Sequence, residues 1–241
     1  MSETAQTIRQ ACADGLYEFR RKMYLRCGAE PFPEVPETLL DGGELLKNSR
    51  SVVSGFDPAH RYFIKKYRKN GFWRTLKRAL QYPRAWRCLA AALLLREVGV
   101  ETPTVLLASR YCLITEVLSG AKFLSECPEE ARRAVLLLAK LHENGIRHGD
   151  FNLRNLYLTA ENRFGVIDLD GSRLYSGVVP KRIRFLELAR LISSYLKSIS
   201  YTPEDAVRIT EDFAAEYRRI TQYDFSGRAL LRRVRELAAR R

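Results

Sequence analysis

Apolar residues recur at three- and four-residue intervals between Pro128 and Asn144, where Ala134, Val135, Leu137, Leu138 and Leu141 form one stripe, and this spacing predicts a buried helix. Pro128 suits its first turn and Gly145 the residue after its end. A second helix is predicted over 84–98, beginning near Pro83 and stopping at Gly99, and three more at about 182–197, 203–221 and 227–240, with Thr202 as a cap before Pro203. Shorter apolar runs predict strands at 45–53 and 61–67 around a turn at Ser54-Gly55-Phe56-Asp57-Pro58, at 104–108 and 111–117, and at 156–158 and 164–167. Residues 1–40, ending in Pro31, Pro33 and Pro36, read as irregular chain. The expected fold class is α+β, with a sheet-rich N-lobe over 1–117 and a mostly helical C-lobe over 118–241.

Composition adds a partner class. The 241 residues, 46% hydrophobic, suffice for one large domain or two small lobes. A formal charge of +13, from 41 Lys and Arg against 28 Asp and Glu, favours polyanions such as nucleic acid, anionic lipid or phosphorylated sugars. Residues 61–88 hold ten Lys or Arg and no acid, interleaved with Tyr62, Phe63, Tyr67, Phe72, Trp73, Tyr82 and Trp86. That stretch reads either as a solvated basic face with its rings in the core or as a membrane-surface or substrate-docking segment. The five cysteines form no Cys-x-x-Cys pair and are odd in number, which fits neither a zinc site nor a disulfide framework and implies a reducing cytoplasm. The first residues lack a signal-peptide pattern, and the longest apolar stretch, Leu89 to Leu95, falls short of the roughly 20 residues a membrane span needs.

The candidate chemistry lies in His148-Gly149-Asp150-Phe151-Asn152-Leu153-Arg154-Asn155 and in Val166-Ile167-Asp168-Leu169-Asp170-Gly171. Asp150 and Asn155 are five positions apart and Asn155 and Asp168 thirteen, the spacing at which a kinase loop sets an aspartate on the acceptor hydroxyl while an asparagine and a second aspartate hold Mg2+ against ATP phosphates. Polar residues in such loops also cap turns, which is the competing reading. His148 is expected to hydrogen-bond backbone around the loop, and His60 and His142 to be structural or surface residues. A cation should reach the nucleotide phosphates from the strand at 62–67, where Lys65 is preferred to Lys66. Backbone groups of Glu116 and Leu118 are candidates for the adenine ring, with Thr115 lining the back of that pocket.

On these motifs, and on YFIKKYRKNGF (62–72), YPRAW (82–86), LREVGVETP (95–103), YCLITEVLSGA (111–121), LAKLHENGIRHGD (138–150) and RFLELARLISSYLK (184–197), the chain resembles the bacterial lipopolysaccharide core-sugar kinases, the Kdo and heptose kinase family. The resemblance covers roughly residues 44–200. It implies a bilobal protein-kinase-like fold and ATP-dependent phosphorylation of a sugar hydroxyl in the lipopolysaccharide inner core, by a protein peripheral on the cytoplasmic face of the inner membrane. Three departures stand out. No acid falls early in the helix from Arg84, where kinases keep the glutamate that pairs with the strand lysine, and Cys88 or a neighbour occupies that place. The phosphate-covering segment Leu46–Val52 has no glycine, leaving Lys47, Arg50 and backbone amides. About a dozen residues separate Asp170 from the helix near Arg182, too few for a protein-kinase activation segment. Arg154 is a candidate for the transferred phosphate or a phosphate of the acceptor, and Arg173, Arg182, Arg184 and Arg190 are candidates for the same cleft. A kinase of soluble cationic acceptors and a non-catalytic glycolipid-binding protein are the alternatives; nucleic acid ranks last, because no such module is recognisable.

Overall fold

The computed structural model describes residues 2–68, 82–124 and 127–239. Phe72 and Trp73 of the basic aromatic stretch lie outside the described residues. The chain divides into two compact units, one of Met1–Arg96 with Thr102–Ser119 and one of Glu97–Glu101 with Gly120–Arg241. The expected α+β class is what the structure has, sheet-rich in the first unit and mostly helical in the second.

The first unit is built on an antiparallel sheet of strands β1 (Tyr17–Arg20), β2 (Met23–Arg26), β3 (Leu45–Asn48), β4 (Val52–Phe56), β5 (Tyr62–Tyr67), β6 (Val105–Ala108) and β7 (Cys112–Glu116), in the order β1-β2-β6-β7-β5-β4-β3. On one face Ile64, Leu107 and Ile114 are fully buried with Cys112, Val53 and Leu40, and Phe32 and Tyr62 pack against them. The helix α2 (Arg84–Glu97) buries Ala85, Cys88, Leu89, Ala92 and Leu95, and Trp86 donates to the Ala108 carbonyl at 3.2 Å.

Two expectations are corrected here. Residues 1–40 are not irregular: helix α1 (Glu3–Ala13) is capped by Ser2, whose side chain accepts from the Ala5 N–H, and β1 and β2 form a hairpin that joins the sheet through β6. The hairpin escapes sequence patterning because its turn residues, Arg21 and Lys22, take positive φ of 49° and 65°, where a turn signal would show Gly or Asn. The buried Tyr17 pins it, donating its hydroxyl hydrogen to the Val105 carbonyl at 2.5 Å. Second, the predicted strand over 45–53 is two strands, and Ser54–Phe56 is strand, not turn. The chain reverses at Ser49-Arg50-Ser51, where the Ser49 hydroxyl accepts from the Val52 N–H at 3.1 Å. Gly55 sits inside β4 opposite Leu45, where a Cβ would lie 2.0 Å from the Glu44 carbonyl oxygen. Its presence marks close backbone approach at a bulge.

In the second unit, helices α3 (Pro128–Glu143), α4 (Lys181–Ser198), α5 (Pro203–Thr221) and α6 (Gly227–Ala238) surround short strands. Strands β8 (Lys122–Phe123), β10 (Leu156–Leu158) and β11 (Phe164–Val166) make a small sheet, and β9 (Ile146–Arg147) pairs with β12 (Arg173–Leu174). The α3 stripe is buried as its period requires, with Ala131, Ala134, Val135, Leu138 and Leu141 at zero exposure. A reciprocal capping box of Thr202 and Asp205 opens α5. The hydrogen bond from Arg208, and then those from Thr202, hold the Asp205 carboxyl at about 2. No described helix is long and apolar enough to cross a membrane.

Candidate active site

The loop from His148 to Asn155 alternates buried and outward residues. Phe151 and Leu153 anchor it in the core, which leaves Asp150 and Arg154 exposed and Asn152 and Asn155 half-buried. Asn152 closes the turn from both sides: its Nδ2 donates to the Asp150 carbonyl at 2.9 Å and its Oδ1 accepts the Arg154 N–H at 3.1 Å. Asn155 Nδ2 donates to the Asp150 carbonyl at 2.9 Å and lies 3.4 Å from Asp150 Oδ2. The hairpin of β10 and β11 then brings the chain back, pairing Leu156 with Val166, and the Ile167 N–H donates to the Asn155 carbonyl at 2.9 Å. Asp150, Asn155 and Asp168 are thereby gathered in one region of the second unit. Asp168 adopts the left-handed conformation (φ 58°, ψ 59°), which Asp tolerates better than most residues.

Glycines allow the two loops to touch. Gly149 has φ of 94°, and a Cβ there would meet the Gly171 carbonyl oxygen at 2.2 Å. His148 reinforces the contact, its Nε2 2.9 Å from the Ile167 carbonyl and its Nδ1 accepting the Asp150 N–H at 3.3 Å. With Nε2 as the donor and Nδ1 as the acceptor, the ring is the neutral tautomer. Complete burial agrees, since it pushes the His148 pKa down.

Behind the loop lies a buried polar cluster. Glu187, on α4, accepts the Gly149 N–H at 2.5 Å and the His148 N–H at 3.3 Å, and it is 3.0 Å from His142 Nε2. The other His142 nitrogen is 2.7 Å from the Tyr217 hydroxyl. Burial keeps His142 neutral by lowering its pKa. Burial alone would raise the Glu187 pKa, but the hydrogen bond from His142 and the other donors outweigh it and hold the carboxyl below its usual range. Glu187 thus fixes the backbone on which Asp150 stands.

Arg184 departs from expectation. It does not face the cleft; it is fully buried, donating to the Val179 carbonyl at 2.5 Å, to Glu143 at 2.5 Å and to the His142 carbonyl at 3.2 Å. The helical period explains this. Arg184, Glu187, Leu188, Leu191, Ile192 and Tyr195 lie on one buried stripe of α4, so the spacing that marks core leucines also marked these two charges. Arg190 does meet the loop, donating to the Gly149 carbonyl and lying 3.7 Å from Asp150 Oδ1. Arg173 stacks over Tyr175 at 5.3 Å, and Arg182 is exposed.

In the first unit, Lys65 is half-buried and Lys66 exposed. Lys65 shares its face of β5 with Phe63 and Tyr67, and the Tyr67 hydroxyl is 4.0 Å from Cys88 Sγ on α2. The first turn of α2 has no acidic residue. Thr115 is buried on β7. The Glu116 N–H donates to the Thr104 carbonyl at 3.0 Å, and Leu118 follows two residues on.

A sheet unit with a strand lysine, and a helical unit in which an Asp–Asn loop is followed by a hairpin returning a second Asp, define a kinase-type phosphotransferase. The family is specific. Residues 35–213 match the model of the lipopolysaccharide kinase (Kdo/WaaP) family, and the chain belongs to that family. Among solved structures, a ROP18 kinase domain in complex with AMP-PNP and sucrose aligns over 80% of this chain and 78% of its own, at 13% identity and a TM-score of 0.45. A search of curated proteins found no match.

Proposed function

We propose that the protein transfers a phosphoryl group from ATP to a hydroxyl of an inner-core sugar of lipopolysaccharide, heptose or Kdo. The observation that carries this reading is the hydrogen bonding of Asn155 to Asp150 and of Ile167, next to Asp168, to Asn155, which supports a site in which Asp150 serves the acceptor while Asn155 and Asp168 serve a metal. Asp150 orients the acceptor hydroxyl and takes its proton. Arg154, next to Asn155 and exposed, stabilises charge on the transferred group. Lys65 in the N-lobe (1–117) contacts the nucleotide phosphates, and backbone groups of Glu116 and Leu118 hold the adenine, while the C-lobe (118–241) carries the chemistry.

Among the described residues no group of three or more His, Cys, Asp or Glu side chains forms a metal cage. A kinase magnesium does not require one, since it keeps waters and phosphate oxygens as ligands. Asn155 spends its Nδ2 on Asp150, so its Oδ1 is the atom that would join the Asp168 carboxylate as a hard oxygen ligand. When bound, magnesium neutralises charge on the phosphates.

Arg190, 3.7 Å from Asp150 Oδ1, and the charge of +13 support an anionic acceptor presented at the inner membrane's cytoplasmic face. Transfer of labelled phosphate from ATP to defined core oligosaccharides tests the reading. Incorporation that requires Mg2+ and is lost in Asp150→Asn is expected; no incorporation into any core sugar would refute it.

A further inference from the structure

The two-stranded ladder that flanks the Asp150 loop sets two arginines directly against each other. Arg147 of β9 pairs with Arg173 of β12, and Ile146 with Leu174. Ile146 and Leu174 are buried, so strand alternation puts both arginine side chains on the opposite face. Side chains opposed in this way start from Cβ atoms about 5 Å apart, and like charges so placed destabilise the pair. Close backbone contacts hold the ladder at both ends: a Cβ on Gly145 would lie 2.5 Å from the Tyr175 carbonyl oxygen, and one on Gly149 2.2 Å from that of Gly171.

Among the described residues neither arginine forms an ion pair. Glu143, four residues before Arg147, is bound by Arg184 at 2.5 Å, and Glu187 serves His142 and the loop amides. Arg147 Nε is buried with no hydrogen-bond acceptor among the described residues, a cost that an incoming acceptor would remove. Arg173 is exposed and lies over the Tyr175 ring at 5.3 Å. The ring takes one face of the guanidinium and leaves its in-plane N–H donors for a ligand. Two opposed guanidinium groups match a dianion with oxygens on several sides better than a singly charged carboxylate.

We propose that Arg147 and Arg173 form a binding site for a phosphate monoester on the outer face of the β9–β12 ladder. Arg147 precedes Asp150 by three residues, so their Cα atoms lie within about 11 Å. A phosphate held there can belong to the same acceptor whose hydroxyl lies at Asp150. The site stands on the ladder alone, and its link to the acceptor rests on the kinase reading.

Calorimetric titration of the full chain with inorganic phosphate, at constant ionic strength, tests the site. The unaltered protein should bind it, and Arg147→Gln and Arg173→Gln should each weaken binding about tenfold. Arg173 is exposed, so its variant reads binding without a change in the core. Arg154→Gln separates this site from the Asp150 loop and should leave phosphate affinity intact. No phosphate binding, binding that survives both ladder substitutions together, or binding lost only in Arg154→Gln would overturn the site. A heptose disaccharide bearing a phosphate monoester and its dephosphorylated counterpart identify the source. Binding of the phosphorylated form about tenfold more tightly, dependent on both arginines, assigns the phosphate to the acceptor. Equal binding of the two assigns the site to the phosphate ion and overturns the link to the acceptor. A Kdo disaccharide that displaces phosphate at equal concentration would overturn the choice of phosphate over carboxylate. Arginine-dependent phosphate binding without transfer from ATP would refute the kinase reading and leave the site standing, whereas transfer with phosphate binding indifferent to both arginines would do the reverse.

Discussion

Glu187 accepts the backbone N–H of Gly149 at 2.5 Å, so a carboxylate on α4 holds the residue immediately before Asp150. The same carboxylate reaches the His148 N–H and His142. One buried charge therefore sets the height of the loop from beneath.

Replacing Glu187 by Ala leaves buried N–H donors without acceptors, and a loss of about 3 kcal/mol is expected in denaturant unfolding. Glu187→Gln keeps an acceptor oxygen and should cost less. Both variants should lower turnover more than nucleotide affinity, measured by steady-state kinetics and by nucleotide titration. Turnover unchanged in Glu187→Ala would show that the loop keeps its position without the carboxylate.

The pH dependence of stability follows from the same cluster. His142 and His148 have folded pKa values below the ordinary 6.5, so below about 6.5 the unfolded chain binds protons that the folded chain does not. Their contribution is fully present above that pH and is lost as pH falls. Glu187, also lowered, adds a further loss below its ordinary 4.5. Melting temperature should therefore drop between pH 7 and 5, and His142→Gln should flatten part of that slope.

Gly149→Ala puts a methyl group against the Gly171 carbonyl and strains a residue at φ of 94°. The loops must separate to admit it. We expect a stability loss of roughly 2–4 kcal/mol and severe loss of transfer activity, read by thermal melts and by the labelled-phosphate assay.

If Asp150 faces the acceptor as proposed, Asp150→Asn should lower turnover by roughly 10²–10⁴ with nucleotide affinity retained. Asp168→Asn should instead weaken Mg2+-dependent nucleotide binding. Asn retains access to the left-handed conformation Asp168 occupies, so melting temperature should hold. A fall in nucleotide affinity in Asp150→Asn equal to that in Asp168→Asn would overturn this division of roles.

The elements that sequence displayed were those with a clean period. The α3 stripe and the β10–β11 hairpin were legible because apolar spacing and turn residues agreed. The β1–β2 hairpin was hidden by a turn made from Arg21 and Lys22, and the reversal at Ser49 was masked by the stronger turn composition of Ser54–Pro58. Asp150, Asn155 and Asp168 were legible as a spacing, and their proximity is a fact of hydrogen bonding. Glu187 was missed because a carboxylate in a helix reads as solvent-facing until the stripe is traced through it. The same tracing would have withdrawn Arg184 from the cleft. Lys65 could be assigned to a face of β5 by alternation alone, whereas its pairing depends on contacts that no local pattern encodes.

The contact between Gly149 and Gly171 makes the loop that carries Asp150 and the loop after Asp168 a single casting. Thermal motion can carry the two together, but it cannot slide one past the other without breaking the His148 bridge to Ile167. A fluctuation that displaced Asp150 would take Asp168 with it, and the spacing of the two residues would survive the excursion.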